Sequence, residues 1–417
     1  MCIRDSDVPL LLSRDERFIK AMFQCRGDVT SVRVLHPASF IDELMQAESP
    51  DYLPSRAGGL QLVRASMLGP GRLADAFLSS TGETKPEFRG LLQELFASPE
   101  TEVHCLVRGD EPVCVYSIRT DGADATVQLL RARPGEDFST VIRQALGLVR
   151  FRVTEGRSCR RLIVSETLRP SSLERALRAE GFENRTEHWI AFPTAGTRSG
   201  EDILSELAHW GPGAMDVERC ASLATRATLD PRSASRLERA MDPVLVSDSA
   251  MPAFLIPIQA GWADRLIGVT TGQLDIDVSG GRVGGLREHV YFRSSNGPRM
   301  PAPFRAFWYR TAEGVSSVFA TSVVEQTLLA SEQEIWGRFG GYGVLTRADL
   351  ASLSSGTNEV MALRFFRTRR MQLPVTLSQL QAAASKLGIT KPSVPYGPLR
   401  LDQTLHRWLL SNEVGVE

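Results

Sequence analysis

Two tight turns, Gly109-Asp110 and Asp121-Gly122, divide residues 102–131 into three runs of strand-forming residues: Glu102–Arg108, Pro112–Arg119 and Ala125–Arg131. Turn dipeptides that accept a left-handed backbone, flanked by apolar alternation, are the strongest short-range signal for hairpins. Three antiparallel strands in a row need something to cover their apolar face, and the next segment supplies it. Over Thr140–Val153 the apolar side chains fall at 141, 142, 145, 146, 149 and 153, a helical spacing. A strand at Arg161–Ser165, a helix over Ser171–Glu180 stopped by Gly181, and a strand at His188–Phe192 complete the run. Upstream lie a strand, Leu60–Arg64, and helical stretches near 71–80 and 86–97. The expected class is α/β in the α+β sense, a mixed sheet with flanking helices.

The rest of the chain is too long for that one core. A length of 417 residues predicts two or three domains. Residues 49–59 carry Pro50, Pro54, Gly58 and Gly59 and read as a linker. Residues 200–240 have helical texture with a turn at Gly211-Pro212-Gly213, so 197–250 is expected as a helical connector. From Ala253 the texture turns β-rich, with strands at Phe254–Ile258, His289–Arg293, Phe304–Arg310, Ser317–Glu325 and Val360–Arg367. Helices are expected near 331–339, 346–353, 376–386 and 401–410. The resulting division is 1–48, 60–195, 197–250 and 251–417.

Composition narrows the function classes. Hydrophobic residues make up 42% and charged residues 23%, as in ordinary globular chains. The formal net charge of −1 hides an asymmetry: residues 1–250 hold 31 basic and 36 acidic side chains, residues 251–417 hold 17 and 13. A mildly basic second half permits a polyanionic partner. Arginine outnumbers lysine 44 to 4, which fits a GC-rich bacterial genome. No pair of the six cysteines forms CxxC, and the six histidines are scattered, so reduced core cysteines in a cytoplasmic protein and no metal site are expected. No stretch approaches the roughly 18 apolar residues of a membrane span, so no membrane partner is expected. The sequence does not report an oligomeric state.

The element order over 60–195 is strand, two helices, three-strand meander, helix, strand, helix, strand. With the ending Leu173-Glu174-Arg175-Ala176-Leu177-Arg178-Ala179-Glu180-Gly181-Phe182, it resembles the GNAT N-acetyltransferases over about 135 residues. That resemblance implies acetyl-CoA (acyl-CoA) as cofactor and an amine as acyl acceptor. The pantetheine arm would enter a splayed gap between the third meander strand and Arg161–Ser165. A backbone N–H would polarise the thioester carbonyl. The pyrophosphate would rest at the start of the helix after the meander, with Arg131, Arg133, Gly135, Ser139 and Thr140 as binding residues. The sequence departs from the family in two ways. The motif (Arg/Gln)-x-x-Gly-x-(Gly/Ala) is absent, and the position of the usual tyrosine acid is Leu177. Spacing does not choose a base between Glu102 and Glu111, so the catalytic residues are left unassigned.

The later strand texts, Leu286–Arg293, Ala302–Tyr309 and Val360–Phe365 leading to Leu373-Pro374-Val375-Thr376-Leu377, resemble the PUA-like superfamily in its ASCH and EVE-type members. That implies a small β-barrel that binds RNA or another nucleic acid. Strand alternation puts Arg287, His289, Tyr291 and Arg293 on one face, a polar and aromatic surface suited to such a ligand. Arg367, Arg369 and Arg370 form either a phosphate cluster or a solvated loop.

Residues 8–48 resemble the last units of a PIN nuclease domain, with Asp15 at the place of its last metal-binding acid; the other acids would lie upstream. Residues 1–6, Met-Cys-Ile-Arg-Asp-Ser, resemble a translated sequencing-adapter string from metagenomic gene calls, which implies a native start further upstream. Two functions stay open. One is a GNAT-type acyltransferase fused to a PUA-like RNA-binding module. The other is an inactive GNAT scaffold in a nucleic-acid-binding, toxin-like, PIN-associated protein.

Overall fold

Both large sheets of this chain bury both faces, which is why its strands read as near-continuous apolar runs. The computed structural model describes residues 10–12, 33–35, 60–78, 83–134, 138–155, 159–185, 187–209, 215–267, 287–311, 316–340, 342–354, 358–393 and 395–413. The chain divides into two compact units, residues 1–53 with 345–349 and residues 54–344 with 350–417. In the first, β1 (Leu10–Leu12) pairs in parallel with β2 (Arg33–Leu35). Asp15 lies outside the described residues. The regions read as 60–195, 197–250 and 251–417 share the second unit apart from residues 345–349.

The first sheet contains β3 (Leu60–Arg64), β4 (Thr101–Arg108), β5 (Glu111–Asp121), β6 (Asp124–Val127), β7 (Leu130–Ala132), β8 (Arg161–Val164), β9 (Glu183–Arg185) and β10 (His188–Ala191). Its order is β3-β4-β5-β6-β8-β10-β9, with β7 paired to β5. Every pairing is antiparallel except β6 with β8. Alternate residues of β4 and β5 serve opposite faces. Leu106, Cys114, Tyr116 and Ile118 pack with α3 (Phe138–Thr154) and α4 (Ser171–Ala179). Val103, Cys105, Val107 and Val115 pack with α1 (Gly69–Phe77) and α2 (Lys85–Ala97). A capping box starts α2: Thr84 N–H donates to Glu87 Oε2 at 2.8 Å and Glu87 N–H to Thr84 Oγ1 at 3.4 Å, a device worth about 1 kcal/mol.

β11 (Thr197–Arg198) and β12 (Leu245–Val246) pair in parallel around α5 (Gly200–His209), α6 (Met215–Ala227) and α7 (Pro231–Ala240). Asp230 caps α7, accepting from Ser233 N–H at 2.9 Å and Arg232 N–H at 3.2 Å. Gly181, just after α4, has φ +78, and a Cβ there would sit 3.0 Å from the backbone of Ala240. The glycine therefore ends α4 and lets α7 approach it closely.

The remaining elements are β13 (Ala253–Gln259), α8 (Ala260–Ile267), β14 (Glu288–Ser294), β15 (Phe304–Thr311), β16 (Ser317–Ala330), α9 (Glu332–Phe339), α10 (Arg347–Leu353), β17 (Val360–Thr376), α11 (Leu377–Lys386), β18 (Leu399–Arg400) and α12 (Gln403–Glu413). Their sheet runs β14-β17-β16-β15-β13-β18, parallel only at β13–β15. The expected small barrel is corrected here: among the described residues the sheet is open. β18 takes the outer edge of β13, so that edge is not available to close against β14. Three register shifts between β16 and β17 give these long strands the bends that bulges produce.

Candidate functional site

The third meander strand is broken where the sequence predicts it to be continuous. β6 pairs with β8 from Asp124↔Arg161 to Val127↔Val164, and Ser165 N–H donates to Val127 O at 2.9 Å. Beyond that point β7 pairs only with β5. Ser117 makes the break, its N–H donating to Leu129 O at 2.9 Å and its hydroxyl accepting from Leu129 N–H at 3.0 Å. Two parallel strands thus part company at the place where the resemblance puts the pantetheine arm.

The opening holds a side chain of the chain itself. Glu166, 1% exposed, accepts from Leu130 N–H at 3.0 Å and Arg131 Nε at 3.3 Å through Oε2, and from Leu168 N–H at 3.1 Å through Oε1. The backbone donors of Leu129 and Leu130 are both consumed. Arg131 is clamped from the other side by Glu83, at 2.6 and 3.0 Å, and lies over the Phe88 ring. Burial opposes the Arg131 charge, but Glu83 and Glu166 outweigh it and hold its pKa above the ordinary arginine value. Of the other cofactor residues expected from sequence, Arg133 is exposed and paired with Glu111 at 2.8 Å. Ser139 is exposed and Thr140 buried in the first turn of α3; Gly135 lies outside the described residues. Leu177 is fully buried in the core. Glu102 of β4 pairs with Ile118, next to Ser117 and level with the break, and lies near Arg152 and His104; its hydrogen bond from Arg152 holds it down at about 2. In this arrangement Arg131 and the Leu130 N–H, which would face the acyl-CoA arm, are already engaged by Glu83 and Glu166.

The four residues expected on an open strand face are placed elsewhere. His289, 4% exposed, stacks on Phe365 at 5.4 Å, and Tyr291 meets Trp308 edge-on at 5.5 Å while donating to Pro257 O at 3.3 Å. Arg293 donates to Asn296 O at 2.7 Å. Arg287, immediately before β14, donates through Nε to Glu180 at 2.6 Å and through Nη2 to Asp242 at 2.9 Å, and its N–H donates to Gln144 Oε1 at 2.7 Å. Sequence alternation carries no information on what covers these residues.

Arg287 belongs to a buried charge network that sequence reasoning missed. Arg143 of α3 joins Glu180 at 2.6 Å and Glu288 of β14 at 2.6 Å, and Arg364 pairs with the same Glu288. Arg150 of α3, completely buried, donates to Arg239 O at 2.7 Å and Glu180 O at 2.8 Å and lies over Phe182. Desolvation pushes its pKa down to about 10, partly offset by Asp242. Glu325 takes Arg239 and Arg367, the latter at 2.8 Å. Burial alone would raise the Glu180 carboxyl, but Arg287 and Arg143 outweigh it and hold it far below the usual carboxylate range. Arg367, one of the three expected phosphate residues, is therefore an internal ligand of Glu325, while Arg369 and Arg370 are half-buried on β17. The available signal was the dominance of arginine over lysine, since planar guanidinium forks suit buried bidentate pairs.

Gly147 makes room for this junction. A Cβ there would lie 2.8 Å from Arg287 Cδ and 3.1 Å from its Nη1. Gly147→Ala gains about 1 kcal/mol of helix propensity. It also pushes Arg287 off two acids, and disturbing a buried pair costs about 3 kcal/mol or more. A net loss of about 2 kcal/mol is expected in urea denaturation, where an ordinary helical glycine would show a gain.

Among the described residues no group of three His, Cys, Asp or Glu side chains converges as a metal site requires, and no helix is long and apolar enough to cross a membrane.

No protein-family model matches the sequence, and no curated protein matches it significantly. Solved structures of two kinds are similar to parts of the chain. One is the ASCH protein from Zymomonas mobilis, at 18% identity over 38% of this chain and 94% of that one, with a TM-score of 0.29. Another is an acetyltransferase from Thermus thermophilus, at 23% identity over 33% of this chain and 98% of that one, TM-score 0.28. The PaiA N-acetyltransferase from Thermoplasma acidophilum, solved in complex with coenzyme A, is 8% identical over 31% of this chain and 96% of that one, TM-score 0.26.

Proposed function

We propose that the acetyltransferase-like part of this chain is a non-catalytic scaffold, joined through buried charges to an ASCH-like part, and that the protein acts by binding nucleic acid rather than by acyl transfer. The observation that carries this reading is Glu166. Its carboxylate takes the Leu130 N–H and Arg131 at the point where the strands part. An acyl-CoA chain entering there would have to displace a buried, fully hydrogen-bonded anion. The basic bias of residues 251–417 supports a polyanionic partner, with Arg369 and Arg370 half-buried where His289 is buried.

Isothermal titration with acetyl-CoA tests it. The wild-type chain is expected to show no binding up to about 1 mM, the weak end of measurable affinity. Glu166→Ala, which empties the gap, is expected to bind more than wild type if the plug is the obstacle. Micromolar binding by the wild type, or acetylation of an amine by it, overturns the reading. The strand divergence itself favours the second reading, an acyltransferase in which Glu166 swings away, and the same titration decides between them. RNA binding that weakens steeply with salt and ignores acetyl-CoA is the matching positive result.

A further inference from the structure

A cleft of about 310 Å³ lies between α4 with the β9–β10 hairpin and α6 with α7, away from the strand divergence. Arg178, Arg219, Arg236 and Arg239 line it, against one acid, Glu183. Its wall is apolar, made by Ile190, Phe192 and Leu223, and its floor is the Gly181–Ala240 contact. We infer that this cleft binds a small organic phosphate with an apolar or aromatic body, of nucleotide size.

The argument rests on charge, arrangement and volume. Arg219 is neutralised by Glu183, and Arg239 is fixed from behind by Glu325. Arg178 lies over the Trp189 ring at 5.2 Å, with only a 3.5 Å contact to Glu174. Arg236 is exposed and makes no ion pair among the described residues. Guanidiniums held by stacking and by second partners keep hydrogen-bond donors for a ligand, and they recognise phosphate oxygens in pairs. With Arg219 and Arg239 paired, Arg236 and the loosely paired Arg178 are the two charges left for a ligand, which a phosphate monoester dianion matches better than a single carboxylate. The volume is at the lower end of small-molecule sites, roughly 300–1,000 Å³. The apolar wall gives a base or similar ring a surface that inorganic phosphate would not use.

Isothermal titration with adenosine monophosphate, adenosine and inorganic phosphate on the whole chain tests this. The monophosphate is expected to bind, phosphate to bind more weakly, and adenosine not to bind detectably. Arg236→Met is expected to weaken the monophosphate by about tenfold, one charge-assisted contact, with an unchanged melting curve because Arg236 is exposed. Arg219→Met serves as the second variant if the first does not fold. No monophosphate binding at about 5 mM, equal binding of adenosine, or binding indifferent to the folded variants overturns the inference.

Discussion

Glu180→Gln is expected to lower the unfolding free energy by about 3–5 kcal/mol, read as a shift of the urea midpoint at constant slope. Glutamine preserves the shape of the side chain and removes only the charge. Arg143 and Arg287 then share the remaining acids, Glu288 and Asp242, while their side chains stay 9% and 10% exposed. A buried charge left short of a partner cannot recover its hydration, and the loss exceeds that of a surface pair by several kcal/mol. The effect should be non-additive. Arg287→Met in the Glu180→Gln background is expected to cost less than the two single losses together, because both act on one network. A cost below about 1 kcal/mol for Glu180→Gln would mean that water reaches the junction and that the three sequence regions are only loosely joined.

The second large effect is a pH dependence centred on His406. Its ring is completely buried in α12, edge-on to Phe307, and among the described residues neither nitrogen has a hydrogen-bond partner. Burial, reinforced by the charges of Arg305 and Arg407, pushes its pKa from 6.5 down to about 3. The folded chain therefore holds the ring neutral where the unfolded chain would protonate it. Below pH 6.5 the unfolded state binds the extra proton, so stability falls as the pH falls, and the loss is complete near pH 3. One proton corresponds to about 1.4 kcal/mol per pH unit across that window. His104 moves in the same direction, because burial outweighs its hydrogen bond to Glu102. His406→Leu separates the two: it is expected to flatten most of the decline between pH 6.5 and 5 and to be no less stable at pH 7. Depressed carboxylates such as Glu180 and Asp242 contribute stability above their ordinary pKa values of 4.5 and 3.8 and lose it only below them, so they leave the stretch between pH 6.5 and 5 to the histidines. An unchanged slope in the leucine variant would show that His406 is solvated.

Periodicity predicts α3 and α4 to within two residues at each end, because their apolar spacing is strong and Gly181 stops α4 sharply. It predicts the meander as well, but not the interruption at Gln128-Leu129. That break depends on Ser117 across the strand, a tertiary contact with no local sign. The tail of β16 and all of β17 beyond Arg367 also escape, since bulges let strands of 14 and 17 residues continue through a change of alternation. The site residues behave differently from the fold. Arg131 stands out in the sequence for its charge at a strand end, and its two acids, Glu83 and Glu166, lie 48 and 35 residues away. Arg287 stands out on alternation alone, and its partners come from the ends of α4 and α7. A charged side chain announces that it has a partner somewhere, not whether that partner is a ligand or the protein.

The arrangement of α3 sets a limit on how this chain can be taken apart. Arg143, Gly147 and Arg150 fall on one helical stripe, three and four residues apart, and that stripe is turned toward other regions of the chain rather than toward its own sheet. A laboratory excision of residues 60–195 at the obvious linkers would keep the Arg143–Glu180 pair but strip Arg143 of Glu288, Arg150 of the Arg239 and Asp242 carbonyls, and Glu180 of Arg287. Replacing residues 60–195 by a foreign domain would deprive Glu288 of Arg143 and Arg287 of Glu180. The chain is thus not a string of interchangeable cassettes, and any lineage that keeps the second sheet in this form must also keep the helix that locks it.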